Sequence, residues 1–280
     1  MSNAASRVAV VTGASTGIGQ ATARLLAASG WRVFATVRTP EANAALSSEP
    51  SVEVVRIDLT DEVSVREATR GILARAGRVD ALVNNAGFAL LGAVEDLDRE
   101  AIRRQFEVNV FSPMQLCREI LPTMRARRSG RIVNVSSLAG RVSVPMMGAY
   151  CASKFALEAF TDALRVEAKP FGVRVSLVEP GPVRTEFQRN AISASRAVLM
   201  SESVFRPVYR AYLDGAFEMG QGASAERVAR VIRRVLTSPR PRSRYRVRWV
   251  DSVATGFLQI VPKGGMDWVL SRWMDLDLVR

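Results

Sequence analysis

Short runs of β-branched and other apolar residues recur along the chain, and between them apolar residues return every three or four positions. The runs are "RVAVVTG" (7–13), "WRVFATV" (31–37), "VEVVRIDL" (52–59), "DALVNNAG" (80–87), "GRIVNVSS" (130–137) and "VRVSLVEPG" (173–181). Most are apolar without alternation, which predicts strands buried on both faces, as in a parallel sheet covered by helices. Helix signals fill the intervals. Gly30 closes a first helix, "TPE" (39–41) offers a cap with proline behind it, and "TDE" (60–62) a cap followed by two acids. The segment 61–76 sets Val65, Ala68, Ile72 and Ala76 on one face. The segment 153–169 does the same with Ala156, Ala159, Phe160, Ala163 and Leu164. Strand–helix repetition of this kind predicts a doubly wound α/β fold. After Gly181 the pattern loosens. Helical spacing returns at 224–236, and "RYRVRWV" (244–250) reads as one more strand, making about seven in a mostly parallel sheet. No linker or repeat divides residues 1–280, so one domain is expected.

Composition agrees, with 48% apolar and 24% charged residues. The N-terminal residues read directly into a strand, so no secretory signal is expected, and with no run of about eighteen uncharged apolar residues no transmembrane helix is expected. Cys117 and Cys151 make no disulfide framework, so a cytoplasmic protein is expected. The net charge of +12 raises nucleic-acid binding. The arginines, however, are spread along the chain apart from "RPRSRYRVR" (240–248), and no nucleic-acid partner is expected.

The first strand runs into "TGASTGIG", Thr12 to Gly19, with Gly13, Gly17 and Gly19 between strand and helix. Such glycines permit a tight turn and let a pyrophosphate approach the helix N-terminus, whose N–H groups and dipole favour anions. Ser15, Thr16 and Ile18 complete the turn. The chain has no histidine and only three lysines, Lys154, Lys169 and Lys263. One of them lies four residues after a tyrosine, in "YCASK" (150–154). That places Lys154 one helical turn from Tyr150 on the same face, where a cation favours the phenolate of a side chain that is otherwise a poor acid–base group.

With "NNAG" (84–87) and "PGPVRT" (180–185), these motifs resemble the short-chain dehydrogenase/reductase family in order and spacing, strongly over about 7–185. The remainder loosely resembles its steroid and retinol dehydrogenase branch. The resemblance implies a Rossmann fold whose cofactor-binding part is about 7–185, with a substrate lid and C-terminal part at 186–280. It implies a catalytic set of Asn109, Ser137, Tyr150 and Lys154. Tyr150 would exchange a proton with the substrate oxygen. Ser137 would stabilise negative charge developing on that oxygen. Lys154 would hold the nicotinamide ribose, and Asn109 a water leading to solvent. Asp58 and Leu59 would contact adenine, and Asn85, Ala86 and Gly87 the adenosine ribose. Pro180, Gly181, Val183 and Thr185 would line the nicotinamide. No metal is expected.

The second strand ends at Val37-Arg38, without the acid that a ribose 2′-hydroxyl calls for. Arg38 can instead clamp a 2′-phosphate, so NADP is expected over NAD. Val142, Val144, Met146 and Met147 make the strip between Ser137 and Tyr150 apolar, and Phe187, Phe205, Tyr209 and Tyr212 fall where the family places a mobile lid. The expectation is an oxidoreductase acting on an apolar ketone or secondary alcohol, steroid-, retinoid- or lipid-like. The same side chains would otherwise pack the core or a subunit interface. The alternatives in function are a cofactor-sensing regulator, an NAD-dependent alcohol dehydrogenase, and a peripheral membrane enzyme anchored by 240–248 with Trp249, Phe257 and Trp268. The family commonly pairs subunits through helices here at about 112–127 and 153–169, so a homodimer or homotetramer is expected.

Overall fold

The computed structural model of the chain describes residues 6–215, 222–251, 256 and 263–273. Phe257, named above as an anchor residue, lies outside them. The strands are β1 (Val8–Thr12), β2 (Arg32–Val37), β3 (Val52–Arg56), β4 (Ala81–Asn84), β5 (Gly130–Val135), β6 (Val173–Glu179), β7 (Val183–Arg184), β8 (Ala223–Ser224) and β9 (Arg244–Arg246). Seven form one sheet in the order β3-β2-β1-β4-β5-β6-β9, and every pairing in it is parallel. β7 and β8 pair apart from it. The strand order reverses between β1 and β4, and a doubly wound sheet opens its binding crevice beyond the strand ends at such a point.

The helices are α1 (Gly17–Ala27), α2 (Ala44–Ser47), α3 (Glu62–Ala76), α4 (Arg99–Phe106), α5 (Ser112–Ala126), α6 (Gly148–Ala168), α7 (Phe187–Ala194), α8 (Arg196–Leu199), α9 (Arg206–Leu213) and α10 (Ala225–Thr237), with a further helix at Lys263–Trp273. Successive strand residues feed opposite layers. Ala9 and Val11 join Leu26 of α1 and Ile232 of α10, while Val8 and Val10 join Ile72 of α3 and Ile120 of α5. Burial on both faces is why these strands read as continuous apolar runs.

Three local expectations are corrected. The cap of α3 is Asp61, whose carboxylate accepts from the Val63 N–H at 2.8 Å, whereas Thr60 turns back to Asp58. α6 is rotated relative to its apolar pattern. Ala159 and Ala163 are exposed, while Tyr150, Ser153, Lys154, Glu158 and Thr161 face inward. That inward face is polar because it meets polar partners. Asn84 donates to Asn134 at 2.8 Å, Asn134 to Thr161 at 2.8 Å, and Thr161 to the Leu157 carbonyl at 2.6 Å. The chain of bonds ties α6 to β4 and β5. Third, the basic segment is largely spent inside the protein. Arg244 pairs with Glu158 at 3.2 Å and Glu179 at 3.0 Å, Arg246 with Glu179 at 3.3 Å, and Arg248 with Asp251 at 2.9 Å.

Candidate active site

The motif residues come together beyond the C-terminal ends of β1, β4, β5 and β6. Thr12 ends β1, and its hydroxyl accepts from the N–H groups of Asn85 and Ala86, both at 3.0 Å. In return Asn85 donates its side-chain amide to the carbonyls of Thr12 at 2.9 Å and Gly13 at 3.3 Å. These bonds lock the glycine-rich turn to the Asn85–Gly87 segment, so the amide nitrogen of Asn85 serves the protein itself. Two of the turn glycines are required sterically. Gly13 has φ +64°, and a Cβ there would meet the Ala86 Cα at 2.8 Å; a Cβ on Gly19 would stand 2.1 Å from the Gly13 carbonyl oxygen. Gly17 lies under the Thr185 methyl, 3.0 Å from where its own Cβ would be, which brings the loop after β6 over the same turn.

The helix N-termini fall into two groups, and α1 belongs with those that have no side-chain cap. Asp61, Asp98 and Ser224 cap α3, α4 and α10 through their side chains, but Thr16 makes no such bond and the first turn of α1 carries no acid. Free N–H groups with no negative charge beside them fit the pyrophosphate of a dinucleotide. Ser15, Thr16 and Ile18 lie at that mouth, none of them fully buried. At its far side Arg38 is exposed directly after β2. Arg38 and Arg56 both lie close enough to help hold the Asp58 carboxyl below its ordinary range, after the larger effect of its bonds from the N–H and hydroxyl of Thr60. Arg56 was not anticipated from sequence. The parallel register that sets it beside Val37 is a property of the sheet. Leu59 follows Asp58 and packs against the Ile72 layer.

Tyr150 and Lys154 occupy the first two turns of α6 and are both buried. The Lys154 Nζ lies 5.9 Å from the centre of the Tyr150 ring and donates to the Val135 carbonyl at 3.0 Å. Burial lowers Lys154 to about 8, against a smaller opposing pull from Glu158. Burial pushes Tyr150 up to about 12, with the adjacent Ser137 hydroxyl acting in the other direction. The expected preference for phenolate therefore meets a larger opposing effect, because the ring is taken out of water while the nearest cation is engaged elsewhere. Ser137 opens the loop after β5, and its Oγ also accepts from the Ala139 N–H at 3.1 Å.

Asn109 sits in a π-helical turn, Glu107–Phe111, that joins α4 to α5 without a break. Such a turn inserts a residue into a helix and re-aims a side chain. Asn109 is fully buried. It donates to the Phe88 carbonyl and the Ser153 hydroxyl, each at 2.9 Å, and accepts from the Phe88 N–H at 3.1 Å. Ser153 in turn donates to the Tyr150 carbonyl at 2.7 Å. Gly87 lies between Asn109 and Lys154, since a Cβ there would be 3.1 Å from the Asn109 Oδ1 and 3.5 Å from the Lys154 Nζ. Ser153 was missed from sequence, although it lies within the Tyr150–Lys154 motif.

An apolar cluster covers Tyr150, built from Ala89, Leu91, Met146 and Met147, with Ala191 and Phe187 of α7. The Phe187 and Tyr150 ring centres are 5.7 Å apart. Tyr209 is a packing residue, fully buried, with its hydroxyl accepting from the Ala93 N–H at 2.9 Å and donating to Asp96. Pro180 is buried, and its carbonyl accepts from the Leu138 N–H at 3.1 Å; Gly181 packs beside Asp251, and Val183 pairs with Ala223.

The family model described as short chain dehydrogenase matches residues 7–196. The chain is 39% identical over 184 residues to a 3-ketodihydrosphingosine reductase of Bacteroides thetaiotaomicron, covering 66% of each chain. It is 37% identical over 253 residues to the 17-beta-hydroxysteroid dehydrogenase type 1 of Homo sapiens, covering 85% of this chain and 76% of that one. Among solved structures, a metagenomic short-chain oxidoreductase in complex with NADP superposes with TM-score 0.69 at 31% identity, covering 86% of this chain and 96% of that one. A Burkholderia phymatum short chain dehydrogenase/reductase in complex with NAD superposes with TM-score 0.77 at 26% identity, covering 90% and 92%.

Proposed function

The chain belongs to the short-chain dehydrogenase family, and on that premise we propose that it is an NADP-preferring reductase or dehydrogenase of apolar ketones and secondary alcohols. The carrying observation is the convergence of Ser137, Tyr150 and Lys154 under the apolar cluster of Met146, Met147 and Phe187. When bound, the nicotinamide supplies or accepts the hydride and, in its oxidised form, a positive charge. The protein's part is proton transfer and placement. The Ser137 hydroxyl donates to the substrate oxygen, and the Tyr150 hydroxyl gives it a proton in reduction or takes one in oxidation. Lys154 holds the ribose and supplies the nearby cation, and Asn109 fixes the helix that carries both. The uncapped α1 N-terminus receives the pyrophosphate, with Asp58 and Asn85 at the adenosine. Val183 and Thr185 would hold the nicotinamide.

Arg38 and Arg56 together favour a 2′-phosphate. The apolar substrate is supported by the cluster around Tyr150 and by the sphingoid and steroid substrates in the names of two relatives. A homo-oligomer is supported by Phe111 and Met114 at the start of α5 and by Phe155 and Val166 of α6, all exposed. Cytoplasmic residence is consistent with both cysteines being free and buried. No helix among the described residues is long and apolar enough to cross a membrane.

The direct test is a panel of steroid, sphingoid and retinoid carbonyls and short polar ketones, each with NADPH and NADH, followed by nicotinamide absorbance. Turnover of the apolar group with NADPH is expected. Turnover confined to short polar ketones would overturn the substrate class, and no turnover of any compound would favour a cofactor sensor.

A further inference from the structure

Behind the Tyr150–Lys154 pair lies a group of buried charges to which the proton transfer assigns no part. Glu158 is one helical turn beyond Lys154 on the inward face of α6, and Glu179 ends β6; the two are 4% and 0% exposed. Two carboxylates buried side by side repel each other and are tolerated only with compensation. That compensation comes from the far end of the chain. Arg244 of β9 reaches Glu158 at 3.2 Å and Glu179 at 3.0 Å and also pairs with Asp162, while Arg246 reaches Glu179 at 3.3 Å. The Ser136 hydroxyl and the bare face of Gly140 complete the niche. A Cβ on Gly140 would lie 2.8 Å from the Ser136 Oγ, 3.0 Å from the Glu158 Cγ and 3.2 Å from the Lys154 carbonyl.

We infer that Glu158, clamped by Arg244, is a positioning residue for Lys154, whose ammonium its carboxylate keeps charged inside the protein. The inference rests on the proposed roles of Tyr150 and Lys154. No direct ion pair forms between Glu158 and Lys154, whose Nζ is given to the Val135 carbonyl. Glu158 acts through space across one turn of a low-dielectric interior, where a charge is felt more strongly than in water. The charged and titratable groups around Glu158 are Lys154 and Asp162 on α6, Glu179 on β6, and Arg244 on β9 with Arg246 behind it. Among the described residues it is Glu158 that raises Lys154, against the burial that lowers it to about 8. Glu158 is itself pushed up to about 6, by burial first and then by Glu179, against the pull of Ser136 and Arg244. It is therefore ionised where Lys154 titrates. The arginines of β9 thus link the C-terminal segment to the charge state of the proton-transfer pair.

The chain's three lysines make a direct test practical. Protein labelled with ¹³C at the lysine ε-carbon is titrated by NMR without cofactor, and the Lys154 signal is assigned from Lys154→Arg. In Glu158→Gln the Lys154 midpoint should fall by about half a unit to one unit. In Asp162→Asn, which removes an equal charge from the same arginine but one turn farther away, it should stay. The alkaline limb of kcat/KM for ketone reduction should move with it in Glu158→Gln only. Should Glu158→Gln fold poorly, Glu158→Met, which fills a similar space without a charge, is titrated in its place and should move Lys154 in the same direction. An unmoved Lys154 in folded Glu158→Gln, or equal shifts in Glu158→Gln and Asp162→Asn, would overturn the inference. Full turnover in Tyr150→Phe would instead remove the site assignment, and the NMR titration would still decide what Glu158 does to Lys154.

Discussion

The side-chain amide of Asn109 donates to the hydroxyl of Ser153 at 2.9 Å, and Ser153 passes the bond on to the carbonyl of Tyr150. A π-helical turn in one helix thereby holds the helix that carries the tyrosine. Replacing Asn109 by alanine leaves the N–H of Phe88 without its partner and removes one of the two bonds to the Phe88 carbonyl, which keeps the one from Gln105 at 2.9 Å. The cost should be about 2–4 kcal/mol. At this chain length that is roughly a 5–15 °C fall in Tm. Ser153→Ala removes less and should cost about 1 kcal/mol. Calorimetry of both variants checks the order, and an unchanged Tm in Asn109→Ala would exclude the bracing role.

Tyr150→Phe keeps the ring against Phe187 and removes only the hydroxyl. Turnover should fall by about 10²–10⁴-fold, the usual contribution of a general acid–base group. Cofactor affinity should stay within a few-fold, because the hydroxyl transfers a proton and does not anchor the dinucleotide. Steady-state kinetics with a fluorescence titration of NADPH separates the two. Activity close to wild type would remove Tyr150 from the mechanism.

Lys154→Met should be inactive yet more stable. The lysine is lowered from 10.5 to about 8 in the folded protein, so carrying its charge inside costs about 3 kcal/mol at pH 7. Loss of its bond to the Val135 carbonyl returns about 1 kcal/mol, leaving a gain of about 2 kcal/mol. The sign follows from the lowered value. The stability tied to this group is present above the unfolded value of 10.5 and is lost as pH falls through about 8. Wild type should gain on the variant when the pH is raised from 7 to 10, and thermal melts at the two pH values measure it. A variant less stable than wild type at pH 7 would contradict the buried-charge cost.

NADPH should bind about ten- to a hundred-fold more tightly than NADH, the size expected for one charge-assisted hydrogen bond from Arg38. Arg38→Leu should reduce the preference, and Arg56→Leu should reduce it further. Raising salt should narrow it, because Arg38 is exposed. Titrating both cofactors against the three proteins decides the matter, and equal affinities in wild type would withdraw the NADP preference.

The sequence by itself determined most of the frame. Each of the main strands lies within its apolar run, because burial on both faces demands uninterrupted apolar residues. The glycine-rich turn, Tyr150 and Lys154 were legible because a positive φ, a close backbone approach and a one-turn spacing each restrict residue type over a few adjacent positions. Tertiary structure decided the rest. The inward face of α6 could not be read from its alanines, since Asn134 of β5 and Arg244 of β9 made a polar face the buried one. The strand at 244–250 was legible, but the partners of its arginines were not: only the pairing of β9 beside β6 turned Arg244 and Arg246 onto Glu158 and Glu179. The protonation of Tyr150 and Lys154 was equally out of reach. Their spacing shows that they are neighbours, but burial is a sum over every element packed around them, and here it outweighs the attraction between cation and phenolate.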